Sequence, residues 1–310
     1  MPKYKALILL LIIFLSAPNA AFALDMPQTA NDLASMARLD AQAYVVADAN
    51  TGEILISKNA DLAWTPASLT KLVTVLVVLD TKPKLTKTVA ITQADQTAGS
   101  CNAGGACIKA KAGVKFTVDG LFHAALIPSA NNAANALARS TGLTPEAFAK
   151  KMNEKAQSLG AVSTHFNEPT GMDPTNQITA ADYAKIVAAA FSNPYLRNIA
   201  AQDKYSLRSS NNSKYNQIIK NTDKLLTDSD VQVLGAKTGY LNESQYNFAS
   251  LMQYNNGKEL AVVVLGEKHL YTAFAETKLL ASYGQASQFL ASFMPASTVL
   301  GTTTNITLNN

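Results

Sequence analysis

The chain has little of what metal, redox and nucleic-acid chemistry needs: three histidines, two cysteines and one tryptophan in 310 residues. No histidine or further cysteine lies within zinc-ligand spacing of Cys101 and Cys107, so a metal site is not expected. A glycine-rich phosphate loop is also missing, and no cofactor is implied. Charged residues make up 15% of the chain against about 25% in an average domain, and a formal net charge of +4 implies no nucleic-acid partner. After the N-terminus no long apolar run follows, so a membrane-spanning segment is not expected in the body of the chain. His123 sits on a mostly apolar stretch, and His165 and His269 are far in sequence from any nucleophile. All three are read as structural or solvated.

What the N-terminus does carry is the layout of a secretory signal. Lys3 and Lys5 precede the apolar run from Ala6 to Leu15, and small residues follow up to Ala21-Phe22-Ala23. That run is too short to span a bilayer of roughly 30 Å, so cleavage after Ala23 is expected, with an uncleaved tether as the alternative. Residues 1–23 then form a signal peptide, 24–42 a lead-in, 43–294 the working domain and 295–310 a Thr- and Asn-rich flexible tail. Losing the segment removes two lysines and no acid, taking the formal charge to +2. Apolar residues are 48% of the sequence, enough for a large core. Export favours a local disulfide between Cys101 and Cys107, and unpaired loop thiols are the alternative.

Residues 43–58 read as two apolar runs joined by Asn50-Thr51-Gly52, a hairpin. From Pro66 to about Lys224 the pattern is mainly helical, at 66–79, 118–127, 132–140, 145–159 and 180–191. Strand-like runs return at 231–240, 245–254 and 259–266, with a turn at Asn255-Asn256-Gly257, and 272–292 reads as a closing helix. The expected fold is therefore α/β: an antiparallel sheet built from both chain ends, a helical second lobe, and the site between them.

The stretch 66–79 carries the chemistry. Thr65 is expected to cap it, with Pro66 at the first helical position. Ser68, Lys71 and Thr74 recur every third residue, a polar stripe on an otherwise oily helix. A lone helical lysine usually snorkels to the surface or finds a carboxylate. Here burial and the positive helix terminus both disfavour an ammonium. Lowering a lysine to near pH 7 takes about three pKa units, roughly 4 kcal/mol, which burial can supply. A neutral Lys71 would then deprotonate Ser68.

Ser-x-x-Lys alone is a weak motif, but two companions follow in order. Pro128 ends a helical stretch and puts Ser129-Ala130-Asn131 in a turn, before a helix that Asn132 is expected to cap. Lys237-Thr238-Gly239 lies in a strand, with glycine allowing close approach of a ligand backbone. This triple resembles that of penicillin-binding proteins and class A β-lactamases, with Ala130 where their middle motif has Asp. Together with Thr164-His165-Phe166, Asn221-Thr222-Asp223-Lys224-Leu225-Leu226, Gly235-Ala236-Lys237-Thr238-Gly239-Tyr240 and Glu276-Thr277-Lys278, the chain is identified as resembling the low-molecular-mass penicillin-binding proteins, the serine D-alanyl-D-alanine carboxypeptidases. The resemblance covers roughly Ala43 to Gly284 and implies the β-lactamase/transpeptidase-like fold.

What the resemblance implies is a role for each matching position. Ser68 is the acylated nucleophile, Lys71 its base, and Ser129 the relay of a proton to the leaving amine. Asn131 holds the substrate amide, Lys237 supplies positive potential, and Thr238 bonds the terminal carboxylate. The backbone N–H groups of Ser68 and Tyr240 form the oxyanion hole, with Gly239 leaving room. The partners implied are a peptidoglycan stem peptide and β-lactam antibiotics as acylating inhibitors, in a periplasmic or other extracytoplasmic space. Two features depart from the family pattern. Asn176-Gln177-Ile178-Thr179 stands where relatives carry His-x-Ser-Thr, and Tyr271-Thr272-Ala273-Phe274 lacks their basic residue before the closing helix. The β-rich second domain and amphipathic C-terminal anchor that many carboxypeptidases of the family carry are not expected here. These departures leave a crosslink-cutting endopeptidase as the alternative. A β-lactamase is less favoured, because Glu168 sits in Glu168-Pro169-Thr170-Gly171, a loop of the peptidase family. A binding module without catalysis is disfavoured by the intact reactive groups.

Overall fold

A computed structural model describes residues 39–229, 231–253 and 257–293. The expected signal segment 1–23, most of the lead-in 24–42, the tail 295–310 and the turn residues Asn255 and Asn256 lie outside the described residues.

The sheet is assembled from both chain ends, as the α/β reading requires. Strands β1 (Ala43–Asp48) and β2 (Ile54–Lys58) form the opening hairpin, and β7 (Gln232–Leu241), β8 (Gln245–Gln253) and β9 (Glu259–Glu267) come from the other end. Their order is β2-β1-β9-β8-β7, antiparallel throughout, so β9 pairs with β1 and β7 is left as an edge. Both faces of the centre are covered, which explains why these strands read as continuous apolar runs rather than alternating ones. Tyr44, Val46, Val262 and Val264 pack with Ala273, Phe274 and Leu280 of the closing helix α8 (Leu270–Phe293). Val45, Ala47, Val263 and Leu265 face the opposite core, with Ile186, Val187 and Ala190 of α6 (Ala180–Ser192).

The helical lobe contains α1 (Lys71–Asp80), α2 (Gln93–Ala98), α3 (Val118–Leu126), α4 (Asn131–Ser140), α5 (Pro145–Ser158) and α7 (Pro194–Ala200). α1 is the buried central rod: every residue from Lys71 to Val78 is buried. Start signals fit where a threonine precedes the helix, as Thr144 with Pro145 at α5 and Thr179 at α6, whose hydroxyls accept from Ala147 and Asp182 N–H.

Three details differ from expectation. Thr65 does not cap α1; its hydroxyl donates to the Pro174 carbonyl at 2.8 Å, and a 3-10 turn over Ala67–Thr70 leads into the helix instead. Nor does Asn132 cap α4, which starts at Asn131; its amide pairs with both backbone groups of Ile108. The lobe is also less purely helical than its pattern suggested. Two small two-stranded antiparallel sheets lie within it, β3 (Thr88–Ala90) with β4 (Lys115–Thr117) and β5 (Lys204–Arg208) with β6 (Asn216–Lys220). Strands this short carry almost no period-two signal.

Candidate active site

The nucleophile region is held in a strained, over-determined backbone. Ala67 has φ 49°, left-handed for a residue with a Cβ, directly before Ser68. Three contacts hold the turn. Tyr183 Oη donates to the Leu69 carbonyl, Asn247 Nδ2 to the Thr65 carbonyl at 2.9 Å, and Gly171 passes so close that a Cβ there would sit 1.7 Å from the Ala67 oxygen.

That close pass brings the loop 168–173 onto the polar stripe of α1. Lys71 Nζ lies 2.7 Å from Ser68 Oγ and donates to the Thr170 carbonyl at 2.7 Å, while Thr74 Oγ1 donates to the Pro169 carbonyl at 2.6 Å. Lys71 is fully buried, and desolvation lowers its pKa to about 7, against the opposing influence of the Glu168 carboxylate. Glu168 is occupied: it accepts from Thr170 N–H at 2.7 Å, from Thr170 Oγ1, from Gly171 N–H and from Asn176 Nδ2 at 3.0 Å. It shapes the loop that receives Lys71.

A second serine–lysine pair faces the first. Ser129, at φ 64°, lies in the turn before α4, and its Oγ is 2.7 Å from Lys237 Nζ. Lys237 is buried on β7, and desolvation together with the nearby Lys71 charge pushes its pKa well below the ordinary lysine value. Beside it, Thr238 Oγ1 and Thr222 Oγ1 are 2.7 Å apart. Asn131 donates from Nδ2 to the Gly99 carbonyl at 2.9 Å, which leaves its buried Oδ1 without a partner among the described residues. Gly239 explains how closely β7 approaches the nucleophile, since a Cβ there would be 2.7 Å from the Pro66 carbonyl oxygen and 3.3 Å from Ser68 N.

These groups share one cleft of about 560 Å³, lined by Ser68, Ser129, Asn131, Thr222, Thr238, Gly239 and Tyr240. Cys101 and Cys107 are disulfide-bonded, and the loop they close contributes Ala103 to Ala106 to one wall. All eight residues singled out for chemistry thus converge. The histidines do not join them: His123 Nδ1 donates to the Asp119 carbonyl at 2.9 Å and its ring stacks on Tyr205, and His165 bonds Asn167. Among the described residues no group of three or more His, Cys, Asp or Glu could hold a metal ion. A groove of similar size, about 550 Å³, is lined by Glu146, Lys150, Asn153 and His165 and holds no nucleophile.

Sequence reasoning missed three contributors. Thr170 acts through its backbone carbonyl, which leaves no side-chain signature. Tyr183 acts from a distant helix. Thr222 lies inside a quoted motif, but only the fold shows that it meets Thr238. The arrangement suits acyl transfer: an activated hydroxyl, a neutral amine base, a second hydroxyl–amine pair, and an open edge strand on which a peptide can lie.

Comparison with known proteins agrees. The model of the D-alanyl-D-alanine carboxypeptidase family matches residues 29–269. The D-alanyl-D-alanine carboxypeptidase DacB2 of Mycobacterium tuberculosis is 35% identical over 228 residues, 73% of this chain and 74% of that protein. A D-alanyl-D-alanine endopeptidase of Pseudomonas aeruginosa is 29% identical over 287 residues, 92% and 90% of the two chains. Among solved structures, a D-alanyl-D-alanine carboxypeptidase of M. tuberculosis superposes with TM-score 0.70 at 33% identity, covering 79% of this chain and 91% of that one. A DD-transpeptidase of Streptomyces gives TM-score 0.75 at 27% identity, covering 80% and 98%.

Proposed function

The chain belongs to the D-alanyl-D-alanine carboxypeptidase family, and on that premise we propose that it removes the terminal D-alanine of peptidoglycan stem peptides through an acyl-enzyme on Ser68. The observation that carries the assignment of roles is the buried Lys71, its pKa lowered to about 7 so that about half is neutral at that pH, 2.7 Å from the Ser68 hydroxyl. Lys71 takes the hydroxyl proton as Ser68 Oγ attacks the carbonyl of the penultimate D-alanine. Negative charge on that oxygen is met by the N–H groups of Ser68 and Tyr240. Collapse of the intermediate breaks the peptide bond, and Ser129 hands a proton to the departing amine. Water then hydrolyses the ester, returning the shortened peptide and free Ser68.

Asn131 holds the substrate amide, and Thr238 with Thr222 receives the terminal carboxylate. An arriving carboxylate favours the ammonium form of Lys237, which desolvation disfavours in the free enzyme. Gly239 keeps the strand open to the peptide. β-Lactams acylate the same serine. A β-lactamase reading is disfavoured because both Glu168 oxygens are engaged by the loop rather than aimed at a water. We read 43–294 as the peptidase domain of an exported protein, acting in the periplasm or another extracytoplasmic space behind the signal segment 1–23.

One observation favours a second specificity, the cutting of crosslinks. The P. aeruginosa endopeptidase aligns over 92% of this chain, whereas the M. tuberculosis carboxypeptidase aligns over 73%. Incubation with purified muropeptides and mass analysis decides between them. Loss of one alanine from pentapeptides supports the carboxypeptidase, conversion of dimers to monomers supports the endopeptidase, and no change in either contradicts both.

A further inference from the structure

Two backbone carbonyls fix Asn131, and both belong to the arms of the loop that the Cys101–Cys107 disulfide closes. Asn131 N–H donates to the Ala106 carbonyl at 2.6 Å, and its Nδ2 donates to the Gly99 carbonyl at 2.9 Å. Ala106 directly precedes Cys107 and Gly99 lies two residues before Cys101, so the two acceptors come from opposite arms. The arms touch beside Asn131. Gly105 N–H donates to the Ser100 carbonyl at 2.9 Å, Cys107 Sγ lies 3.7 Å from the Gly99 oxygen, and a Cβ on Gly105 would sit 2.3 Å from that same oxygen.

Apolar packing does not hold the arms together, since no residue from Cys101 to Cys107 is buried. Ser100 at φ 53° and Gly104 at φ 89° flank a three-residue 3-10 turn, so the loop keeps a serine in the left-handed region without a core to enforce it. The outer ends are secured separately. Gly99 N–H donates to the Asp95 carbonyl at 3.1 Å at the end of α2, and Ile108 is buried with both backbone groups bonded to the Asn132 amide. Breaking the disulfide therefore loosens residues 100–106 and leaves the helices seated. We propose that the disulfide is a positioning element for acylation: it sets the Gly99 and Ala106 carbonyls that hold the Asn131 amide in one orientation against the amide of the bound substrate. The inference rests on the contact between Asn131 and the substrate amide proposed above.

The test compares two acylating probes, benzylpenicillin, which carries a side-chain amide, and aminopenicillanic acid, the same bicycle with a free amine in its place. The readout is the ratio of their second-order rate constants for acylating Ser68, each measured by competition with a fluorescent penicillin. In Cys101→Ser/Cys107→Ser the ratio should fall roughly five- to tenfold, the scale of one neutral hydrogen bond lost from the transition state. The aminopenicillanic acid rate should stay within about twofold of native, because a general loss of stability would lower both rates alike and leave the ratio unmoved. The native protein gives the same comparison without refolding. It is treated with a phosphine, which takes oxygen from water as the disulfide becomes two thiols, then desalted and assayed before and after reoxidation. The ratio should fall on reduction and return on reoxidation. An unchanged ratio after disulfide loss, with Asn131→Ala lowering it, overturns the positioning role alone. A native ratio in Asn131→Ala removes the contact with the substrate amide, and the inference with it.

Discussion

The pH dependence of acylation tests the lysine base quantitatively. Desolvation takes Lys71 from 10.5 to about 7, a change of about 3.5 units, or roughly 5 kcal/mol of preference for the neutral amine. At pH 7 about half of the molecules then carry a competent base. An unperturbed lysine would offer on the order of one in three thousand. The second-order rate constant for acylation by a fluorescent penicillin, measured by stopped flow from pH 5 to 10, should rise about tenfold per unit at the acid end. It should bend near pH 7 and then level. Glu168 is the neighbour that favours the ammonium, so Glu168→Gln should move the bend to lower pH. A rate that keeps climbing tenfold per unit to pH 9 or beyond would refute the neutral-lysine argument. So would a bend that moves upward in a folded Glu168→Gln protein.

Two further outcomes concern the scaffold. Gly171→Ala places a Cβ 1.7 Å from the Ala67 oxygen at φ +84° and should cost about 3 kcal/mol or more, while Gly142→Ala, at φ +81° with nothing within 4 Å, should cost about 1 kcal/mol. Urea unfolding of the two variants compares them, and equal losses would contradict the packing of the loop on the nucleophile turn. Glu267 and Glu276 are buried neighbouring carboxyls; desolvation and the charge of Glu276 raise Glu267 to about 8, and desolvation raises Glu276 against the Asp40 N–H that it accepts at 2.7 Å. The folded state therefore holds a proton that the unfolded chain releases near 4.5, and this stability is lost as pH rises from there to about 8. Glu267→Gln should gain on the native protein as pH climbs through that window in denaturant titrations, and a constant difference from pH 5 to 9 would contradict the shared proton.

How much of this could be read before the fold was known depended on where each signal resides. The sheet and central helix were legible because burial on both faces leaves continuous apolar runs, and because Ser68, Lys71 and Thr74 repeat at helical spacing. The start of that helix was not. Ala67 takes a left-handed conformation enforced by Gly171 and Tyr183, so tertiary contacts override the capping preference of Thr65. The three motifs marked which side chains converge. They did not show that the acceptor for Lys71 is a backbone carbonyl at Thr170, held by Glu168, because a carbonyl is common to every residue. Thr222 meets Thr238, and Lys237 meets Ser129, across separations that no local pattern encodes.

The central claim is that Ser68 carries the acyl group. Peptide mapping by mass spectrometry after brief incubation with benzylpenicillin measures this directly. The account predicts one penicilloyl adduct on the fragment containing Ser68 in the native protein and none in Ser68→Ala. An adduct on any other fragment, or one that forms at the native rate in Ser68→Ala, would contradict it.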